Sequence, residues 1–182
     1  MGRVLMQANL PAALTYITGD EGPELNTSPG EPGGASKWGV SLTVLSEFRG
    51  KPCKVADVAA LTQADANQIY SARFAAPILF GDLPPGVDYR MLDCAVTLGV
   101  TGAIEALQMC LAMWPTTGVM DTPTMAEARA ATPAVLVLQL DAAWLTWKRG
   151  LTPTGWLENG HGWNNRVLKV RSRLPAMMRA QT

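Results

Sequence analysis

The chain is short of the features that announce the commonest functional classes. Cysteine is scarce: Cys53, Cys94 and Cys110 show neither CxxC spacing nor the even count of a disulfide framework. They read as buried or neutral thiols of a protein made in a reducing compartment. Histidine occurs once, as His161 in Asn159-Gly160-His161-Gly162. Without a cysteine or carboxylate cluster beside it, it makes no zinc site, and serine-histidine catalysis is equally unsupported. Net charge is absent as well, since 15 basic and 15 acidic residues cancel. That leaves no electrostatic footprint for nucleic acid and little long-range attraction to an anionic polymer. Long apolar runs are missing: the longest, 134–147, is interrupted by Gln139 and Asp141 and falls short of the roughly 20 residues a bilayer span needs. The opening residues 1–19 carry only Arg3 as an early charge, and Asn9 and Pro11 break their apolar run, so they read as mature structure rather than a secretory leader. Neither a metal, nor an organic cofactor, nor stable membrane association is expected.

What the chain does have is enough apolar content, 48% of 182 residues, to bury one sizeable core in two lobes. Helix signals recur along it. Asn9 is placed to cap a helix with Pro11 in its first turn, and Leu10, Leu14 and Ile17 then fall on one face that Glu21 continues. Gly22 to Gly34 is too rich in glycine and proline for a helix, and Ala35 to Leu42 reads as a short hairpin. Short helices are expected over 41–48 and 54–60. Thr62-Gln63-Ala64-Asp65 fits a capping box, followed by the apolar stripe Ala66, Ile69, Tyr70 and Phe74. After the break at Leu83-Pro84-Pro85-Gly86, two buried helices, 87–98 and 103–113, are expected to join at Gly99 to Gly102. Thr122-Pro123 and Thr132-Pro133 each place a capping hydroxyl before a proline. The second opens the most apolar helix, ending near Gly150, and a last helix is expected from about Trp163. Trp144, Trp147, Trp156 and Trp163 are expected to build the core of this C-terminal part.

Chemistry concentrates in residues 18–41, TGDEGPELNTSPGEPGGASKWGVS. Glu21 sits where the apolar helix face runs into Gly22-Pro23. Downstream come Glu31, Gly33-Gly34 and the polar-aromatic turn Ser36-Lys37-Trp38-Gly39. Glycosidic cleavage near neutral pH needs a carboxylic acid kept protonated, and burial against apolar groups favours that form. Glu21 is the candidate. A second group, about 5 to 9.5 Å away according to stereochemistry, must stabilise the transition state or activate water. Glu31 or Ser36 could orient that water. Trp38 could stack on a sugar ring or merely pack, and Tyr70 fits a core stripe better than a substrate contact. Asp93, in an apolar run, is expected to be a paired structural carboxylate.

Taken in order, these pieces resemble glycoside hydrolase family 108, phage-type endolysins with N-acetylmuramidase activity and a lysozyme-like helical fold. Glu21-Gly22-Pro23 stands for the family's Glu-Gly-Gly, and Glu31-Pro32-Gly33-Gly34-Ala35-Ser36 with Trp38-Gly39-Val40 for its Asp-Pro-Gly-Gly-Ala-Thr, aromatic and Gly-Ile. Leu61-Thr62 with Ala66 and Ile69-Tyr70 is similar to its second element, and Gly81-Asp82-Leu83-Pro84, Asp93 and Gly99 to its middle. Leu107-Gln108 with Asp121 and Thr124 is similar to its peptidoglycan-binding portion. Gly162-Trp163-Asn164-Asn165-Arg166 is similar to its closing element.

The resemblance implies a mainly α, lysozyme-like α+β fold with a small hairpin near 35–42. It divides the chain into an N-terminal catalytic lobe, 1–88, and a C-terminal helical lobe, 89–182, within one compact domain. It also implies a peptidoglycan hydrolase that cleaves the β-1,4 bond between N-acetylmuramic acid and N-acetylglucosamine. Glu21 would be the general acid, Glu31 and Ser36 its water-positioning partners, and Trp38 and Tyr70 substrate contacts. The expected setting is phage lysis: a monomer held in the host cytoplasm and given access to the periplasm and wall by a holin. Two rivals remain open, a lytic transglycosylase using the same Glu21 and a non-catalytic wall-binding or secretion-associated module.

Overall fold

The computed structural model describes residues 9–28, 33–151 and 153–179, without the side chains of 151 and 153–158. Helices dominate, and the only sheet among the described residues is a two-stranded hairpin. By their contacts these residues divide into two compact units. One is Pro11–Arg73, and the other joins Asn9 and Leu10 to the chain from Phe74 onward. The lobe boundary expected between residues 88 and 89 falls inside a helix, α5 (Val87–Cys110).

In the first unit, α1 (Asn9–Glu21) buries Ala13, Leu14 and Ile17. The expected apolar stripe ends at Ile17, because Glu21 is exposed. The Thr18 hydroxyl donates to Asn67 Oδ1 and accepts from the Gln63 amide, both at 3.0 Å, and this ties α1 to α4 (Gln63–Tyr70). The hairpin forms where expected, with β1 (Ser36–Lys37) antiparallel to β2 (Val40–Ser41). Ser41 then caps α2 (Leu42–Arg49), its side chain accepting from the Val44 N–H at 3.3 Å. The short α3 (Val55–Ala59) follows. The Thr62/Asp65 capping box opens α4 as its sequence dictates, with Asp65 N–H to Thr62 Oγ1 at 3.2 Å and Thr62 N–H to Asp65 Oδ2 at 2.9 Å. Past Tyr70 the helix widens into a π-turn over Ser71–Ala75.

The second unit is built on long helices. A 3₁₀ turn, Phe80–Asp82, leads through Pro84-Pro85 into α5. The two helices expected here form and meet at Gly99, whose non-helical φ of 78° and ψ of 160° no bulkier residue adopts cheaply, so that α5 is two helices run together across one residue. α6 (Thr122–Ala130) is capped one residue earlier than expected: Asp121, not Thr122, accepts from the Thr124 N–H at 2.9 Å. α7 (Pro133–Leu151) starts at the expected proline and packs along α5. α8 (Pro153–Arg179) begins ten residues before the expected start, and its helix runs through the glycines around His161. Packing overrides their poor propensity, because Val167, Val170, Leu174 and Met177 form a buried stripe. Of the four tryptophans expected in this core, only Trp144 is fully buried; Trp147 and Trp163 are half-buried, and the side chain of Trp156 lies outside the described residues.

This core encloses charge. Arg90, fully buried, pairs with Asp93 at 2.5 Å and Asp141 at 2.7 Å. Arg166 reaches Asp93 at 2.8 Å, and Arg171 reaches Asp141 at 2.6 Å. Asp93 is therefore the paired structural carboxylate its setting called for. Asn9, expected as a simple cap, instead donates its buried amide to Asp88 Oδ2 and to the Met177 carbonyl, both at 2.9 Å. Asp88 also accepts from the Gly86 and Tyr89 N–H groups. Its burial nevertheless dominates and pushes its pKa up to about 6.

Candidate active site

The candidate site lies within Pro11–Arg73, where the end of α1 meets the hairpin turn. Helix α1 stops at Glu21 because Gly22, at φ 81°, turns the chain out, with its N–H still bonded to the Thr18 carbonyl at 3.0 Å. The Gly22 carbonyl then accepts from the Trp38 N–H at 3.0 Å, which fastens the hairpin turn beside the glutamate. Below it, the Asn26 and Ser36 backbones exchange two hydrogen bonds, at 2.8 and 2.9 Å, and hold the 22–28 segment against β1.

Gly39 makes the closest approach. A methyl group there would collide with the Tyr70 hydroxyl, and it would lie 2.8 Å from Cγ and 3.1 Å from Cβ of Glu21. Its φ of 72° also belongs to the left-handed region that favours glycine. Glu21, Gly39 and Tyr70 therefore converge on one point. Tyr70 is only 3% exposed, which fits the core reading of its stripe. Trp38, half-buried and at φ 54°, has an indole N–H that is enclosed and finds no acceptor among the described residues.

The expected burial of Glu21 is a correction. The residue ends its helix at a glycine turn and is exposed, not set into the apolar face that Leu14 and Ile17 form. Ser36 stands on β1 and is half-buried. Glu31 lies outside the described residues. The sequence reading missed the part played by Gly39. Its signal was the Trp38-Gly39 pair at the tip of a two-residue hairpin, where the chain must take positive φ.

The strongly perturbed groups lie in the other unit. Besides Asp88, burial pushes the Cys94 thiol up to about 12 and that of Cys110 up to about 11. Two cavities there, of about 580 Å³ beside Leu79, Met120 and Arg129 and about 470 Å³ beside Met109, Cys110 and Trp147, include none of the expected site residues. Among the described residues no three histidine, cysteine or acidic side chains are grouped to hold a metal. None of the described helices is long and apolar enough to cross a membrane.

Comparison with known proteins adds what geometry cannot. A family profile described as Glycosyl hydrolase 108 matches residues 14–99, a span that contains Glu21, Glu31, Ser36, Trp38 and Tyr70. Among solved structures, one titled "Structure of Brucella abortus SagA" superposes with a TM-score of 0.84 at 33% identity, covering 95% of this chain and 97% of that one. A comparison with curated protein sequences gives no match.

Proposed function

Because the chain belongs to the glycosyl hydrolase 108 family, with the lysozyme-like α+β fold that its sequence implies, we propose that it hydrolyses bacterial peptidoglycan with Glu21 as the general acid. Family membership supports a glycoside hydrolase of the lysozyme-like kind acting on peptidoglycan. The bond we assign is the β-1,4 link between N-acetylmuramic acid and N-acetylglucosamine. The observation that carries this reading is the placement of Glu21: an exposed glutamate whose methylene arm lies against Gly39, inside the family-matched segment.

Glu21 would protonate the glycosidic oxygen as the bond to the sugar carbon breaks and an oxocarbenium-like centre develops. A glycan lying over the site would exclude water from around the reacting oxygen. A water held by the Ser36 hydroxyl or by Glu31 would complete hydrolysis. Trp38 would offer its ring face to a sugar. The catalytic chemistry then belongs to the unit Pro11–Arg73 within the expected lobe 1–88, and the helices of 89–182 would serve as a peptidoglycan-binding portion. In this reading the protein is a monomeric phage-type lysis enzyme, held in the host cytoplasm until a holin opens the way to the wall.

The test is clearance of purified peptidoglycan sacculi by wild type and by Glu21→Gln, with mass spectrometry of the products. Reducing-end muropeptides and an inactive variant are expected. Anhydro-muropeptides would make the enzyme a transglycosylase, and equal clearance by the variant would remove Glu21 from the mechanism.

A further inference from the structure

We propose that Tyr70 is a positioning residue: its phenolic hydroxyl and the bare Gly39 backbone clamp the methylene arm of Glu21, so that an exposed carboxylate is held in one place. The proposal rests on the assignment of Glu21 as the acid. An exposed glutamate at a helix end ordinarily samples many rotamers, and a general acid that wanders loses most of its advantage, since misplacement of about 1 Å can cost about 100-fold in rate. Here the arm is confined. Tyr70 is buried on α4, which the Thr18, Asn67 and Gln63 contacts fix against α1. Its hydroxyl and the Cβ and Cγ of Glu21 crowd the same space beside Gly39. The turn carrying Gly39 is in its turn fastened by the Trp38 N–H to the Gly22 carbonyl, one residue past the glutamate. A tyrosine has only two side-chain torsions to fix, so once its ring is buried its oxygen is a rigid stop. With 3% exposure, the ring itself is not a surface for sugar stacking.

Tyr70→Phe removes the hydroxyl and keeps the buried ring. Its kcat on purified sacculi should fall about 10- to 100-fold with KM within about twofold, a split that loss of substrate binding would not give. At fixed pH the carboxyl ¹³C resonance of Glu21, assigned by its disappearance in Glu21→Gln, should move in Tyr70→Phe. Gly39→Ala should lose activity, and the double variant Gly39→Ala/Tyr70→Phe should recover part of it, because one of the two obstructing groups has gone. Wild-type kcat in Tyr70→Phe overturns the proposal. So does an unmoved resonance, whatever the lysis data. Undiminished lysis by Glu21→Gln overturns the acid assignment instead, while a moved resonance still supports the clamp.

Discussion

The two units of this protein use charge in opposite ways. In Pro11–Arg73 the glutamate of interest is exposed, carried at the end of a 13-residue helix and approached by a glycine turn. In the chain from Phe74 onward, the charges are sealed inside: Arg90, Asp93 and Asp141 are buried and meet one another and two further arginines. Perturbed titratable groups are often taken as pointers to active sites, yet structural ion-pair networks perturb them too. Here the buried network and the raised pKa values of Asp88, Cys94 and Cys110 belong to architecture. The candidate acid is found by fold position and close approach.

That contrast can be broken by substitution. Glu21→Gln should lower the rate of wall hydrolysis by about 10²- to 10⁴-fold and leave the urea midpoint nearly unchanged. A large loss of stability would mean that the glutamate is architectural after all. Asp141→Asn should do the reverse. It takes away one of the two carboxylates that neutralise buried Arg90 and leaves Asp93 alone to do so, at a cost of about 3 kcal/mol in urea unfolding, while the fraction still folded keeps its specific activity.

Asp88 offers a pH-dependent test. Its folded pKa, about 6, lies above its ordinary value of 3.8, so the folded state binds more protons across that interval. Stability contributed by protonated Asp88 is therefore present at low pH and lost as pH rises towards 6. The rise corresponds to at most about 3 kcal/mol. The unfolding free energy of wild type relative to Asp88→Asn, which does not titrate, should fall over that range. A flat difference would show that the three donors around Asp88 offset its burial, and a rising one that they outweigh it. The smallest effect is expected at Thr62→Ala, which removes the hydroxyl of an exposed capping box and should cost about 1 kcal/mol in urea unfolding with kcat unchanged.

Local rules carried much of the fold. The Thr62/Asp65 box, the Pro84-Pro85 break, the Pro133 start and the 35–42 hairpin are each decided by a few neighbouring residues, and each appears where the sequence puts it. Two of the failures share a tertiary cause: Asn9 satisfies a remote Asp88 and Met177, and α8 continues through glycines because its apolar stripe is buried. The third is local, Asp121 displacing Thr122 as cap through its bond to the Thr124 N–H. At the candidate site, the motif of 18–41 named Glu21, Ser36 and Trp38 as residues worth weighing, but their surroundings were not legible.

The sequence by itself determined the family, the mainly helical α+β class and the glutamate to examine, because these depend on residue order and short-range periodicity. Only the tertiary structure decided that Glu21 is exposed rather than walled in, that the Tyr70 hydroxyl and Gly39 close on its arm, and that Asp93 is shared by Arg90 and Arg166. Burial and pairing depend on which distant segments come together, and residues 49 positions apart, such as Glu21 and Tyr70, carry no sign of each other along the chain.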